Sequence, residues 1–160
     1  IMKRGQMEKT FVMIKPDGIQ RELVGDIIQR IENKGMSMVA MKLMSIPKEL
    51  CEKHYECHKE KPFYGELVKF MTSGPVLAMV LEGRDVIRIM RKIAGATSPK
   101  EALPGTIRGD FAADVEHNLI HTSDSEENAE REINLFFKKE EIINYSLTNK
   151  KWIYSNDHID

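Results

Sequence analysis

The sequence predicts an α+β protein, a four-stranded sheet with helices packed on it in an α+β or split βαβ arrangement. Two observations carry this. Short apolar runs of strand length alternate with helix-period segments in the order strand, helix, strand, helices, strand, helix, strand, helix, and glycine and proline punctuate the joints. At 160 residues the chain fits one domain, which buries a core without metals or disulfides.

EKTFVMIK (8–15) has strand composition and ends at PDG, three turn residues. LVGDIIQRIENKG (23–35) repeats Val24, Ile27, Ile28 and Ile31 at helical spacing and stops at Gly35, a glycine cap. SMVAMKLMSI then reads as the second strand. Residues 48–60 form a charged helix, and FYGELVKFMTSG (63–74) another that ends at glycine. PVLAMVLEG, an apolar run bounded by Pro and Gly, reads as a buried strand. RDVIRIMRKIAG (84–95) puts Val86, Ile89, Met90 and Ile93 on one face and a basic stripe of Arg84, Arg88 and Arg91 on the other. From Gly95 to Val115 periodicity disappears into a segment with three glycines and two prolines. A compact domain seldom keeps so long an irregular stretch without a functional reason. NLIHTS (118–123) is the fourth strand, and SEENAEREINLFF a helix with Ala129, Ile133, Phe136 and Phe137 in register.

With 41% hydrophobic and 31% charged residues, the composition is that of an ordinary globular protein. A net charge of −1 argues against a protein that neutralises many nucleic-acid phosphates, which usually leaves a domain strongly basic. Cys51 and Cys57 are too few for a disulfide framework. No run approaches the roughly 18 apolar residues of a membrane span, and nothing resembles a secretory signal, so the cytoplasm is the expected compartment. Residues 7–160 are read as the single domain, with Ile1 to Gln6 an extension or a cloning remnant and Met7 an alternative start.

His121 sits where the fourth strand meets the next turn. Strand alternation puts Leu119, His121 and Ser123 on one face and Ile120 on the other. Lys15 ends a strand just before Pro16, and a residue before proline is held extended, so this lysine leaves the sheet edge in a defined direction that suits a phosphate. Arg91 lies on the basic stripe. Arg108 stands between Gly105 and Gly109, where backbone can approach a ligand closely. The four share one theme, an anion beside a nucleophile.

KPDG, KPF at 61–63, the GxTxP pattern of GATSP, PGTIRGDF and NLIHTSDS, with WIY near the end, occur in the order and spacing of one family. From about Lys9 to Tyr154 the chain resembles the nucleoside diphosphate kinases. Several motifs agreeing across nearly the whole chain make the match specific. The resemblance implies a ferredoxin-like sandwich with an antiparallel sheet. It implies that His121 takes the γ-phosphoryl group of a nucleoside triphosphate such as ATP, as a phosphohistidine on the pros nitrogen, and passes it to a diphosphate in ping-pong fashion. It matches Lys15, Tyr55, Arg91, Thr97, Arg108 and Asn118 to the residues around phosphates and sugar, Phe63 and Val115 to the apolar walls of the base site, and Ser123 and Glu132 to a pair supporting the histidine. It implies Mg²⁺ carried mainly on the nucleotide phosphates, with no protein metal site, and a homo-oligomer, a hexamer or else a tetramer. Nucleoside tri- and diphosphates would be the partners; no nucleic acid and no membrane is required.

The chemistry fits those residue types. Imidazole is largely uncharged near pH 7, its reference pKa being about 6.5, so it can attack phosphorus without a separate base. The transferring phosphoryl group spreads charge over its equatorial oxygens, which calls for positioned cations. Three departures from the family pattern stand out: Thr122 is found where glycine is usual, and would be strained if φ were positive; Ala96 is found where many relatives carry an acid; and His58 and Lys61 replace other residues near the base-binding helix. Asn118, three residues before His121, should face away from it, and is assigned to the preceding loop. Two other readings compete. Cys51, His54 and His58 share one helical face and offer zinc ligands, though without a fourth. A non-enzymatic nucleotide- or RNA-binding module on the same sheet would need aromatics on its central strands and a basic surface, whereas FVMI, MVAMKLM and VLAMVL carry almost no aromatics and the charge is balanced.

Overall fold

A computed structural model describes residues 7–155; the proposed extension at 1–6 and the last five residues of the proposed domain lie outside them. The elements run β1 (Met7–Ile14), α1 (Pro16–Gln20), α2 (Val24–Asn33), β2 (Ser37–Met44), α3 (Lys48–His54), a 3₁₀ turn (Glu56–His58), α4 (Tyr64–Met71), β3 (Val76–Arg84), α5 (Val86–Ala94), α6 (Ile107–Phe111), β4 (Ile120–Thr122), α7 (Glu126–Phe136), a second 3₁₀ turn (Lys139–Glu141) and α8 (Lys150–Ile153). The sheet order is β2-β3-β1-β4, and its three pairings are all antiparallel. That is the ferredoxin-like sandwich.

Alternation on β1 divides the core in two. Phe11 and Met13 face one cluster with Val68, Met71, Ile133 and Phe136, from α4 and α7. Val12 and Ile14 face the other, with Ile27, Ile31, Met90 and Ile107 from α2, α5 and α6. Helices cover both faces of the central strands β1 and β3, so among the described residues those strands keep no open face on which an RNA-binding module would stack bases. No helix among the described residues is long and apolar enough to cross a membrane.

The structure corrects five local expectations. PDG is not a bare turn: Pro16 opens α1, where its missing N–H costs nothing. The Asp17 carboxylate accepts the Leu119 N–H at 3.0 Å, and a Cβ on Gly18 would lie 3.1 Å from the Leu119 carbonyl oxygen, so α1 is clamped to the start of β4. The charged helix ends at His54, with a 3₁₀ turn completing the segment to His58. Arg84 ends β3 rather than opening the basic helix, which begins after Asp85 at φ 52°. The irregular 95–115 stretch contains α6. Finally, Leu119 adopts φ 74°, which breaks the alternation: Leu119 and Ile120 enter the same cluster, while the His121 ring lies on the other face, 5.9 Å from that of Phe11. The non-glycine residues with positive φ among those described are Glu22, Asp85 and Leu119, so Thr122 carries no such strain.

PGTIRGDF is a tightly tied knot. Gly105 adopts φ 93° and donates its N–H to Asp110 at 2.8 Å. Thr106 caps α6 by accepting the Gly109 N–H and donates to the Leu103 carbonyl. A Cβ on Gly109 would lie 1.9 Å from that carbonyl oxygen. Gly109→Ala is therefore expected to destabilise the fold by about 2–4 kcal/mol, read as a lower urea midpoint. A variant within about 0.5 kcal/mol of the parent would mean the loop yields easily.

Candidate active site

The end of β4, an edge strand, opens into a cleft of about 1190 Å³. Lys15, Tyr55, Phe63, Arg91, Thr97, Arg108, Val115, Asn118, His121 and Glu132 all line it, so nine of the ten residues expected around His121 gather in one place. The tenth, Ser123, is buried beside β1, where its hydroxyl meets the Phe11 N–H and carbonyl at 3.3 Å each. It ties the end of β4 to β1, and its hydrogen bonds go to Phe11 rather than to His121 or Glu132. Ala96 lines a neighbouring hollow with Arg88, Arg91 and Glu101.

Asn118 holds the cationic wall together. The positive φ at Leu119 turns its side chain back into the site, where its amide oxygen accepts from Lys15 Nζ at 2.8 Å and its amide nitrogen donates to the Thr97 carbonyl at 2.9 Å. Arg108 is buried and spends its guanidinium on three backbone carbonyls, those of Asn118, Gly95 and Ile120, at 3.2, 2.9 and 2.6 Å. Arg91 donates weakly to the Thr122 carbonyl at 3.4 Å. None of these three cations has a carboxylate within salt-bridge distance among the described residues.

Burial, then the nearby Arg108 charge, pushes the Lys15 ammonium down to about 8, with Asp17 opposing. Burial, then Arg91, pushes Arg108 down to about 10. Cations that repel one another in a half-buried cleft make a site waiting for an anion.

His121 Nε2 and Glu132 Oε2 form a short hydrogen bond. A carboxylate only accepts, so Nε2 carries a proton, and in the neutral form of the ring the lone pair is on Nδ1. Glu132 is buried; α7 reaches the site because Ser125 caps it by accepting the Asn128 N–H. Across the mouth stand Phe63 and Val115, 47% and 54% exposed. They offer faces without donors or acceptors. Tyr55 is buried, its ring stacked edge-on against His54 at 4.4 Å.

The cleft also holds residues outside the expected set, among them Arg131 and His54. Arg131 donates to the Lys53 and His54 carbonyls at the end of α3. His54 was weighed only as a zinc ligand on a surface helix; it is 2% exposed, with its ring 4.6 Å from that of His121. The zinc trio on α3 does not form. Cys51 is wholly buried in the apolar core, its thiol pushed up to about 11, by burial first. Neither Cys51 nor His58 joins a metal-capable group among the described residues, whereas His54 does so with His121 and Glu132.

Comparison with known proteins follows the same lines. Residues 8–142 match the family model described as "Nucleoside diphosphate kinase". A nucleoside diphosphate kinase of Archaeoglobus fulgidus is 56% identical over 148 residues, 92% of this chain and 98% of the relative. One from Thermosynechococcus vestitus is 59% identical over 148 residues, 92% of this chain and 99% of its own. Among solved structures, a halophilic nucleoside diphosphate kinase from Halobacterium salinarum in complex with CDP superposes with a TM-score of 0.91 at 52% identity, covering 93% of this chain and 99% of its own.

Proposed function

The chain belongs to the nucleoside diphosphate kinase family, an enzyme family, and from that premise we propose how its cleft transfers phosphate. His121 Nδ1 attacks the γ-phosphorus of a nucleoside triphosphate. The N–P bond forms as the bond to the β-phosphate oxygen breaks, and the diphosphate leaves with that electron pair. A terminal oxygen of a second diphosphate then attacks the phosphohistidine in reverse, returning the imidazole to its starting state. The observation that carries this is the Glu132 carboxylate on Nε2: it fixes the ring and its tautomer, and it stabilises the positive charge the ring gains as the N–P bond forms. Lys15, Arg91 and Arg108 supply charge where the transferring group spreads its own, and Asn118 and Thr97 hold that wall in place. Initial rates with both nucleotides varied should give parallel double-reciprocal lines; intersecting lines would mean direct transfer between two bound nucleotides.

Mg²⁺ suits this cleft as a passenger on the nucleotide. The metal-capable trio is rich in nitrogen, a poor match for a cation that prefers oxygen. Asp124, by contrast, lines the cleft with its carboxyl held below its ordinary range, chiefly by the Asn128 hydrogen bond. Asp124, through water, would be the protein's share of the ion's shell, and the ion itself would neutralise phosphate charge.

Two predictions arise here. Lys15 must be protonated to hold a phosphate, and its free-enzyme value near 8 sets the limb: kcat/KM should fall as pH rises through about 8, and Lys15→Ala should lower kcat/KM and remove that limb. A limb unchanged in the variant would assign it elsewhere. The second concerns the base. Phe63 and Val115 grip without reading an edge, so ADP, GDP, CDP, UDP and the deoxy-diphosphates should all be accepted, purines somewhat better. The CDP held by the Halobacterium relative is in keeping with this. Phe63→Ala should weaken every nucleotide, purines most, by about 1–3 kcal/mol; a thousandfold preference for one base would point to a polar contact from His58 or Glu116.

We also place the enzyme in the cytoplasm as a homo-oligomer, a hexamer in preference to a tetramer. β2 is an edge strand with Met41 43% and Leu43 65% exposed, surface that association would cover. Light scattering of the purified protein measures that state.

A further inference from the structure

We propose that His54, His121 and Glu132 form a binding site for a borderline divalent ion of the Zn²⁺ type, and that the bound ion silences the nucleophile. Two imidazoles and one carboxylate with an open fourth position are the ligand set of many zinc sites. Here one ligand atom from each lies within 4.8 Å of the others. His54 Nδ1 and Glu132 Oε2 stand 3.3 Å apart, about the separation of two ligands on a tetrahedral ion with bonds near 2.0–2.1 Å.

The second observation is a shortage of partners. His54 is buried with neither ring nitrogen hydrogen-bonded, and Glu132 is buried with Oε1 unpartnered. Orphaned polar atoms in a core are costly and rare, and one of them, His54 Nδ1, is the atom that stands beside Glu132 Oε2. Burial first, and then the His121 ring, holds the His54 imidazolium well below its ordinary range, so this ring offers a lone pair without first losing a proton. His121, 22% exposed in its side chain, lines the cleft and gives the ion its way in, with water from the cleft as fourth ligand. Mg²⁺, which prefers oxygen and keeps its waters, does not compete for two imidazoles.

The consequence for transfer is a matter of proton bookkeeping. In the free enzyme the His121 ring donates from Nε2 to Glu132, and its reactive form keeps the lone pair on Nδ1. When Nε2 gives its lone pair to the ion, its proton leaves to solvent. The ring stays neutral by taking one at Nδ1. The nucleophilic lone pair is gone, and the Glu132 hydrogen bond with it. Binding stands on the geometry alone; the loss of activity rests on the assignment of His121 as nucleophile.

The test begins without nucleotide. Zn²⁺ is titrated into the full-length protein while the ring ¹⁵N and ¹H signals of its five histidines are followed by NMR. His54 and His121 should shift together, saturate near one equivalent and recover on adding EDTA, with Nδ1 of His121 becoming protonated. Shifts confined to other histidines, or none at micromolar Zn²⁺, would overturn the site. Activity is then measured at saturating magnesium nucleotide. Micromolar Zn²⁺ should suppress it, and His54→Gln should raise the Zn²⁺ needed by tenfold or more relative to that variant's own rate without zinc. Equal sensitivity of the variant overturns the role of His54. Zn²⁺ binding seen by NMR with undiminished activity overturns the silencing, and points to failure of the His121 assignment rather than of the metal site.

Discussion

His121→Ala should lower turnover by about four orders of magnitude or more, with the fold intact. Removing a nucleophile that forms a covalent intermediate typically costs about 10⁴–10⁶ in rate, because no neighbour restores the lost step. Here the neighbours are unsuited to it. His54 is buried behind Glu132, and Tyr55 is buried with its hydroxyl pushed far above its ordinary range by burial first. The side chain at position 121 is only partly buried, so truncation leaves a notch in the cleft wall rather than a sealed cavity. Circular dichroism and the urea midpoint should match the parent within about 1 kcal/mol. Activity within tenfold of the parent would exclude a covalent route through this residue.

Arg108→Ala should damage both the reaction and the fold. Its guanidinium satisfies the carbonyls of Gly95, Asn118 and Ile120, which join the 95–115 loop to β4. The variant leaves three acceptors short of a donor and unpins Asn118, which itself orients Lys15. A stability loss of about 2–4 kcal/mol is expected. Both kcat and kcat/KM should fall by about a hundredfold, the mark of an interaction made chiefly in the transition state. Arg108→Lys should recover little, since one ammonium cannot span three carbonyls set around a planar fork. A change confined to KM would reduce Arg108 to substrate binding.

The helices and strands were legible because their signals are local. Ile27 and Ile31 in α2, and Val86 and Met90 in α5, fall at helical spacing and are buried as expected. Lys15, Arg108 and His121 were legible by position, at a strand end before proline, between two glycines, and at a strand–turn junction. The resemblance supplied the remaining residues, which, Ser123 apart, gather here in one cleft. Leu119 was missed because nothing in its side chain announces a left-handed backbone. Three tertiary ties hold it there: its N–H donates to Asp17, its carbonyl accepts from Lys15, and Gly18 lets that carbonyl come close. The burial of His54 beside His121 was illegible for the same kind of reason: α3 alone shows it in line with Cys51 and His58, and Phe11 of β1 with Glu132 and Phe136 of α7 enclose it only once the chain folds. Arg131 gave no local signal at all; its role as a donor to the end of α3 exists only once the two helices pack.

The central claim is that the phosphoryl group rests on His121 Nδ1 between donor and acceptor, and the most direct measurement is to trap it there. The protein is incubated with γ-labelled ATP, freed of nucleotide, and examined by ³¹P NMR and peptide mapping before being chased with GDP and Mg²⁺. The expected result is an acid-labile, base-stable label on the peptide containing His121, attached at Nδ1 and discharged quantitatively into GTP. A label on His54, His58 or His117, or attached at Nε2, or an enzyme that turns over rapidly yet never carries label, would contradict it.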